Sequence, residues 1–228
     1  MSKIWYLKQF NLLSGLSDEE ISKLENLIRI IRVAKKQFLY FPEDPSDSIY
    51  LLKEGRVKIS KISDDGKEIT LDILEPGEIF GELAIVDEGP RQTLAEVLED
   101  ALIYAINRKD FIDFTENKPD LAFKLTKLIG LRLRDVESKI EALVFRDVPS
   151  RLAALLLQLA ANHGKPDQKG MRLNLKLTHQ ELGNLIGSTR ETTTTWLNEF
   201  RKKGLIAFDR RQIIVLDLKE LKEFSEFH

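Results

Sequence analysis

The sequence predicts an α+β fold in three parts: an N-terminal antiparallel β-roll of jelly-roll type, a long helix, and a C-terminal winged helix-turn-helix. Three observations carry this. Between Gln37 and Ile106 short β-rich runs are broken by turn signals, the pattern of an antiparallel barrel or jelly roll. From residue 118 the period becomes helical, with Ile129, Leu133, Val136, Ile140 and Leu143 at spacings of 4, 3, 4 and 3. Beyond Pro149, two short helical patterns meet at Gly187 and are followed by an alternating hairpin pattern. The corresponding domains are 1–117 for the roll, 118–146 for the long helix and hinge, and 147–228 for the last part.

Taken in order, "DEEISKLENLIRIIRV" (18–33) reads as one amphipathic helix. "SDDGK" (63–67) is a hairpin signal, because Gly66 reaches positive φ cheaply. "EPG" (75–77) is a second turn, and "TLAEVLE" and "ALIYAIN" are two further strands. The heptad seam of 129–143 has charged flanks, Arg132, Arg134, Asp135, Glu137, Lys139 and Glu141. It suits either a two-stranded coiled coil or a helix lying on its own domain. Pro149 disfavours helix at Val148, which places a hinge there. A helix is expected over 150–161, a polar loop over "NHGKPDQKGM", a strand in "RLNLKL", and a hairpin in "LIAFDRRQIIVLD" before a last helix.

Composition excludes several chemistries. There is no cysteine, which removes disulfides, thiolate nucleophiles, iron–sulfur clusters and cysteine-bound zinc. The histidines are His163, His179 and His228, so a histidine-held haem or zinc in the first two thirds is excluded. No G-x-S-x-G elbow accompanies them, and the carboxylates form no catalytic constellation. The chain is therefore not read as an enzyme. The apolar runs are too short to span a bilayer, and "MSKIWYLKQF" lacks a signal-peptide core, so a cytoplasmic location without membrane partners is expected. Charge is uneven. Residues 1–146 carry 22 Lys+Arg against 27 Asp+Glu, a balance of −5, and residues 147–228 carry 13 against 10, or +3. A modestly basic C-terminal part can approach an anionic polymer.

"LTHQELGNLIGSTRETTTTWLNEFRKKGLI" (177–206) carries the functional signal. Thr178 and Glu181 have capping-box spacing. Leu182, Leu185 and Ile186 form one apolar face, and Gly187 sits where the first helix must stop. Either Ser188 or Thr189 caps the second helix, which Trp196, Leu197 and Phe200 anchor. Its exposed front is then Arg190, Glu191, Thr194 and Thr195. Such a helix presents its N-terminal residues to base edges in the major groove of double-stranded DNA. Arginine grips guanine, glutamate accepts from cytosine, and threonine offers a hydroxyl for phosphate or base and a methyl for thymine. His179 and Gln180, at the start of the first helix, join the candidate DNA-facing set. Arg210 and Arg211 at the hairpin tip could add phosphate contacts, with a plain solvated turn as the alternative.

With these residues in view, the chain resembles the CRP/FNR family of bacterial transcription regulators over nearly its whole length. The resemblance rests on "PGEIFGELA" (76–84), "GPRQT" (89–93), "FRDVPSRLA" (145–153) and "LTHQELGNLIGSTRET" (177–192). It implies a cyclic-nucleotide-binding-domain-like roll. It also implies a homodimer through Ile129, Leu133, Val136, Ile140 and Leu143, and an approximately palindromic operator. Members that bind cyclic AMP use a phosphate cassette that Gly81, Glu82, Leu83, Pro90 and Arg91 match. Gln92 departs from the usual small residue and Thr93 comes one position late. Where those members present a Thr-Ser pair to adenine, the resemblance places Val136 and Glu137. The implied effector is thus cyclic AMP or another small anion, or there is no dissociable ligand. Arg132 and Arg134 leave open an acid of the 2-oxoglutarate type. The family's iron–sulfur sensors need cysteines and its haem sensors a histidine in the roll, both missing here.

Arg190 and Glu191 match the Arg-Glu pair of the cyclic-AMP receptor, and Thr195 replaces its second reading arginine. A related half-site with altered choice at one base pair is expected. Residues 162–170 occupy the place where that relative touches RNA polymerase, the third implied partner. A rival reading, a nucleotide-binding regulatory module of another protein, is disfavoured by the helix-turn-helix.

Overall fold

The computed structural model describes residues 6–86, 89–210 and 212–226. Arg211, one of the two candidate wing-tip arginines, lies outside them. The chain forms two compact units, the first made of residues up to 67 and 71–134, the second of residues 68–70 and those from 135 on.

In the first unit, Ser17 and Glu20 close a capping box at the start of α1 (Asp18–Leu27). The helix ends at Leu27, and Ile28–Val33 is strand β1, not a continuation of the helix as the periodicity suggested. The run IRIIRV is rich in β-branched residues, which lose side-chain freedom in a helix. It pairs instead with β6 (Leu94–Asn107), from Ile28 against Ile106 to Val33 against Ala101. The two strands expected at 93–107 are this single strand, which runs unbroken through Asp100.

β2 (Phe38–Tyr40), β3 (Ser48–Ile62), β4 (Glu68–Leu74) and β5 (Ile79–Phe80) complete the sheet. Its strand order among the described residues is β1-β6-β3-β4, with β2 on β6 and β5 on β3. The β3–β4 turn forms at Ser63–Lys67 as its sequence predicts, with the Ser63 N–H donating to the Lys67 carbonyl at 2.9 Å. Two apolar cores fill the unit. One centres on Tyr50, Leu52, Val57, Phe80 and Ile103. The other joins the N-terminal segment and α1 to α2 (Arg108–Thr115) and to Leu121 and Leu125 of the long helix α3 (Pro119–Phe145).

Along α3 the seam residues Leu133, Val136, Ile140 and Leu143 are exposed, and so are Phe123 and Phe145. Leu133 keeps 59% of its surface and Phe145 76%.

In the second unit, Asp147 caps α4 (Val148–His163) by accepting from the Ser150 N–H at 3.0 Å. Pro149 therefore opens this helix, where its missing N–H costs nothing, and the break falls two residues earlier than expected, at Arg146–Asp147. The segment expected to be a polar loop is a hairpin, β7 (Gly164–Asp167) and β8 (Gly170–Leu173). Pairing of β8 with β10 (Gln212–Val215) holds it in place. "RLNLKL" is read correctly in its alternation, since Leu173 and Leu175 are buried, but ladder pairing stops at Leu173. Helices α5 (His179–Ile186) and α6 (Arg190–Lys202), strand β9 (Ile206–Asp209) and helix α7 (Leu218–Glu226) complete the unit. Its core unites Leu152, Leu156, Leu182, Ile186, Leu197, Phe200, Ile213 and Leu221.

Candidate DNA-reading face and effector cassette

α5 begins with the anticipated capping box. The Glu181 N–H donates to Thr178 Oγ1 at 3.2 Å, and the Thr178 N–H to Glu181 Oε2 at 2.5 Å. Gly187 ends the helix in the left-handed region, φ 61° and ψ 46°. A Cβ there would be strained by φ and would lie 2.6 Å from Leu143 Cδ2. Leu143 of the heptad seam thus also packs on the turn.

Of the two candidate caps for α6, Thr189 takes the role, its Oγ1 accepting from the Thr192 N–H at 3.2 Å. Leu197 and Phe200 are fully buried, while Trp196 is half-buried and meets Phe224 edge-on. Arg190, Glu191 and Thr195 are exposed at the front of the helix as expected, whereas Thr194 is half-buried. Thr178 and Gln180 are exposed and Ser188 is half-buried. Gln180 Nε2 donates to Asn184 Oδ1 at 2.7 Å.

The threonine run has a specific local arrangement. Thr193, Thr194 and Thr195 each donate their hydroxyl to the carbonyl four residues back, at 2.8, 2.7 and 3.0 Å. Such back-bonding is the usual accommodation of threonine inside a helix. It leaves the exposed Thr195 a methyl and an oxygen lone pair to offer, not a free donor. Thr194 carries a second bond, to His179 Nδ1 at 2.8 Å, which ties the first turn of α5 to α6. Burial pushes the His179 imidazole below its usual pKa, and the Arg190 charge adds to the shift.

At the wing, the exposed Arg210 adopts a left-handed backbone, φ 45°. Its neighbour Asp209 is fixed by Arg172 Nη1 at 2.8 Å, and the same guanidinium holds Asp167 at 2.8 Å.

In the roll, Gly81 is left-handed, φ 71° and ψ 12°, and starts a 3-10 turn, Glu82–Ile85. A Cβ on Gly81 would lie 2.8 Å from Arg91 Nη1. Glu82 is 4% exposed and Arg91 5%. Arg91 Nη1 donates to the Gly81 carbonyl at 3.3 Å, and Nη2 to the Ser48 carbonyl. The guanidinium lies 4.7 Å from the Tyr40 ring centre and 5.4 Å from that of Tyr50. Glu82 Oε1 pairs with Arg132 Nη1 at 2.5 Å, and Arg132 Nη2 reaches the Ile79 carbonyl at 2.5 Å. Burial pulls the Arg132 pKa down, but the Glu82 carboxylate together with Asp72 and Glu78 more than offsets it, so the net shift is upward. Burial raises Glu78, which sits near the same arginine.

Two buried atoms in this cluster, Glu82 Oε2 and Arg91 Nε, have no hydrogen-bond partner among the described residues. Of the other cassette residues, Thr93 is half-buried with its hydroxyl 3.5 Å from that of Tyr40. Leu83 (60% exposed), Gln92, Val136 and Glu137 present exposed side chains. A cavity of about 550 Å³ is lined in part by Pro90 of the cassette, with Glu43, Asp47, Asn107, Arg108 and Lys109.

Sequence reasoning missed Tyr40, Tyr50 and the Ser48 carbonyl as partners of Arg91. No local signal marks them, because the contacts join strands far apart in the chain. Among the described residues no cluster of three or more His, Asp or Glu could hold a metal ion. No described helix is long and apolar enough to cross a membrane.

The two regions match two family models, Cyclic nucleotide-binding domain over residues 30–118 and Crp-like helix-turn-helix domain over 150–224. The global nitrogen regulator of Synechococcus elongatus is 31% identical over 83% of this chain and 86% of its own. The chain belongs to the CRP/FNR family. Another CRP/FNR relative, the CRP-like cAMP-activated global transcriptional regulator of Mycobacterium tuberculosis, is 28% identical over 94% of this chain and 96% of its own. The solved structure of a CooA mutant from Carboxydothermus hydrogenoformans superposes with a TM-score of 0.78 at 30% identity, over 96% of this chain and 95% of that one. As a CRP/FNR member with a helix-turn-helix domain, the protein is a DNA-binding transcription regulator.

Proposed function

We propose that the protein works as a homodimer that reads an approximately palindromic operator and that its roll does not require cyclic AMP for DNA binding. The observation that carries this is the Glu82–Arg132 pair. In the cyclic-AMP cassette the resembling glutamate serves the ribose and the arginine serves the phosphate. Here Glu82 is engaged by the chain's own Arg132, and both terminal nitrogens of Arg91 are engaged by backbone carbonyls. Val136 has no hydrogen-bonding group for adenine. Cyclic AMP thus fits the residues poorly.

A second reading has its own support. The unpartnered Glu82 Oε2 and Arg91 Nε suit a small anionic effector that also donates a hydrogen bond. It would act only through different affinities for two arrangements of the dimer.

In this reading Arg190, Glu191 and Thr195 face base edges. Thr178, His179, Gln180, Ser188, Thr189 and Arg210 lie toward the sugar-phosphate backbone. The exposed stripe Leu133, Val136 and Ile140, with Ile129 and Leu143, pairs with its copy. The functional division is 1–117, 118–146 and 147–228. The protein acts by binding rather than catalysis, in the cytoplasm, and contacts RNA polymerase through residues 162–170.

Selection from random duplex DNA by ligand-stripped protein, with and without cyclic AMP, tests the proposal. One palindrome enriched in both arms is the expected outcome. Enrichment in the nucleotide arm alone would overturn nucleotide independence. Failure in both arms would favour the anionic-effector reading, provided total genomic DNA is still bound.

A further inference from the structure

His179 stands at the first position of α5, and its ring touches the front of the recognition helix. Hydrogen-bond arithmetic fixes its tautomer. Thr194 has one hydroxyl hydrogen, and that hydrogen goes to the Arg190 carbonyl at 2.7 Å, which can only accept. The contact at 2.8 Å between Thr194 Oγ1 and His179 Nδ1 must then be donated by the ring. Neutral His179 therefore carries its proton on Nδ1 and leaves Nε2 as a bare acceptor. Among the described residues Nε2 has no hydrogen-bond partner, and it is not among the buried unpartnered atoms.

The first helix of a helix-turn-helix crosses the DNA backbone, where every oxygen offered is an acceptor. An acceptor on Nε2 facing a phosphate oxygen is repulsive. A proton there turns it into a charged donor, and charge-assisted bonds to phosphate are the strong ones. We infer, on the DNA-reading function proposed above, that His179 is a phosphate contact that takes up a proton from solvent when DNA binds and returns it on release. The charged group acting on the ring is Arg190 from α6, and Phe208 from β9, 6.1 Å away, brings no charge. In the free protein burial and Arg190 favour the neutral ring, whereas the phosphate favours the cation. The extra affinity is fully present below the pKa of the free protein and is lost as pH rises through the higher pKa of the complex.

The test uses the full-length protein and a duplex carrying its selected palindrome, at fixed ionic strength, between about pH 5.5 and about pH 8.5. Fluorescence anisotropy should show Kd falling up to about tenfold per subunit for each unit of pH lowered within the window between the two pKa values. Calorimetry in two buffers of different ionisation enthalpy should report uptake of up to about one proton per subunit. His179→Gln should bind DNA with the slope removed, and His179→Arg should bind tightly without it. A flat wild-type profile, or a slope that survives in His179→Gln, would overturn the inference while leaving the regulator intact. Loss of DNA binding by all three proteins at every pH would overturn the DNA-reading function and the inference with it.

Discussion

The recognition helix and the cassette of the roll are made from the same side chains, arginine, glutamate and threonine, yet they are assembled over different distances in the chain. At the helix-turn-helix, partners are mostly three or four residues apart: Thr178 with Glu181, Thr189 with Thr192, Thr194 with Arg190. In the cassette, Arg91 meets Ser48 from 43 residues away, and Arg132 meets the Ile79 carbonyl from 53. The first region is a short-range construction with Arg190, Glu191 and Thr195, its candidate reading groups, outside. The second is a long-range one with its charged groups buried, and a buried charge is tolerated only when paired. A conservative change should therefore alter binding in the first region and folding in the second.

The sharpest break of this contrast comes from Arg132→Met. It strands the buried Glu82 carboxylate, and removing one partner of such a pair costs about 3–5 kcal/mol. Denaturant unfolding should show the first unit weakened by that order, and the double variant with Glu82→Gln should recover part of the loss. Next, Arg190→Ala should cost each half-site about 1–3 kcal/mol of base discrimination with the melting temperature unchanged. Anisotropy against single-base operator variants would read both. Gly187→Ala should cost about 1–2 kcal/mol of stability in the second unit, from the forced left-handed residue, before any contact with Leu143 is counted. The smallest effect sharpens the contrast at the wing. Arg210→Gly relieves a positive φ, so hairpin stability should rise by about 1 kcal/mol while DNA affinity falls. The salt slope of binding should then drop by about one per subunit, equally for all sequences.

The same contrast explains what could be read from the chain alone. The helix-turn-helix was legible because its capping box, turn glycine and apolar face are local and repeat at the helical period. Thr195 was legible as a replacement for an arginine, but the commitment of its hydroxyl to the Glu191 carbonyl was not. The β-roll was legible as a class from its turns. Its first strand was misread as helix, because Ile28–Val33 matches a helical period and only the pairing with Ala101–Ile106 decides otherwise. The hairpin at Gly164–Leu173 was missed for a like reason, since β10 some forty residues on completes its sheet. Glu82 and Arg132 were each singled out, but nothing in their local sequence told that one would pair with the other.

On the function proposed here, the Glu82–Arg132 pair leaves DNA binding independent of cyclic AMP. The most direct test is a titration of ligand-stripped protein on its selected operator at fixed salt and pH, with and without saturating cyclic AMP. Equal Kd values in the two series are predicted, and a tightening of about tenfold, equivalent to about 1.4 kcal/mol, on adding the nucleotide would show that cyclic AMP drives DNA binding.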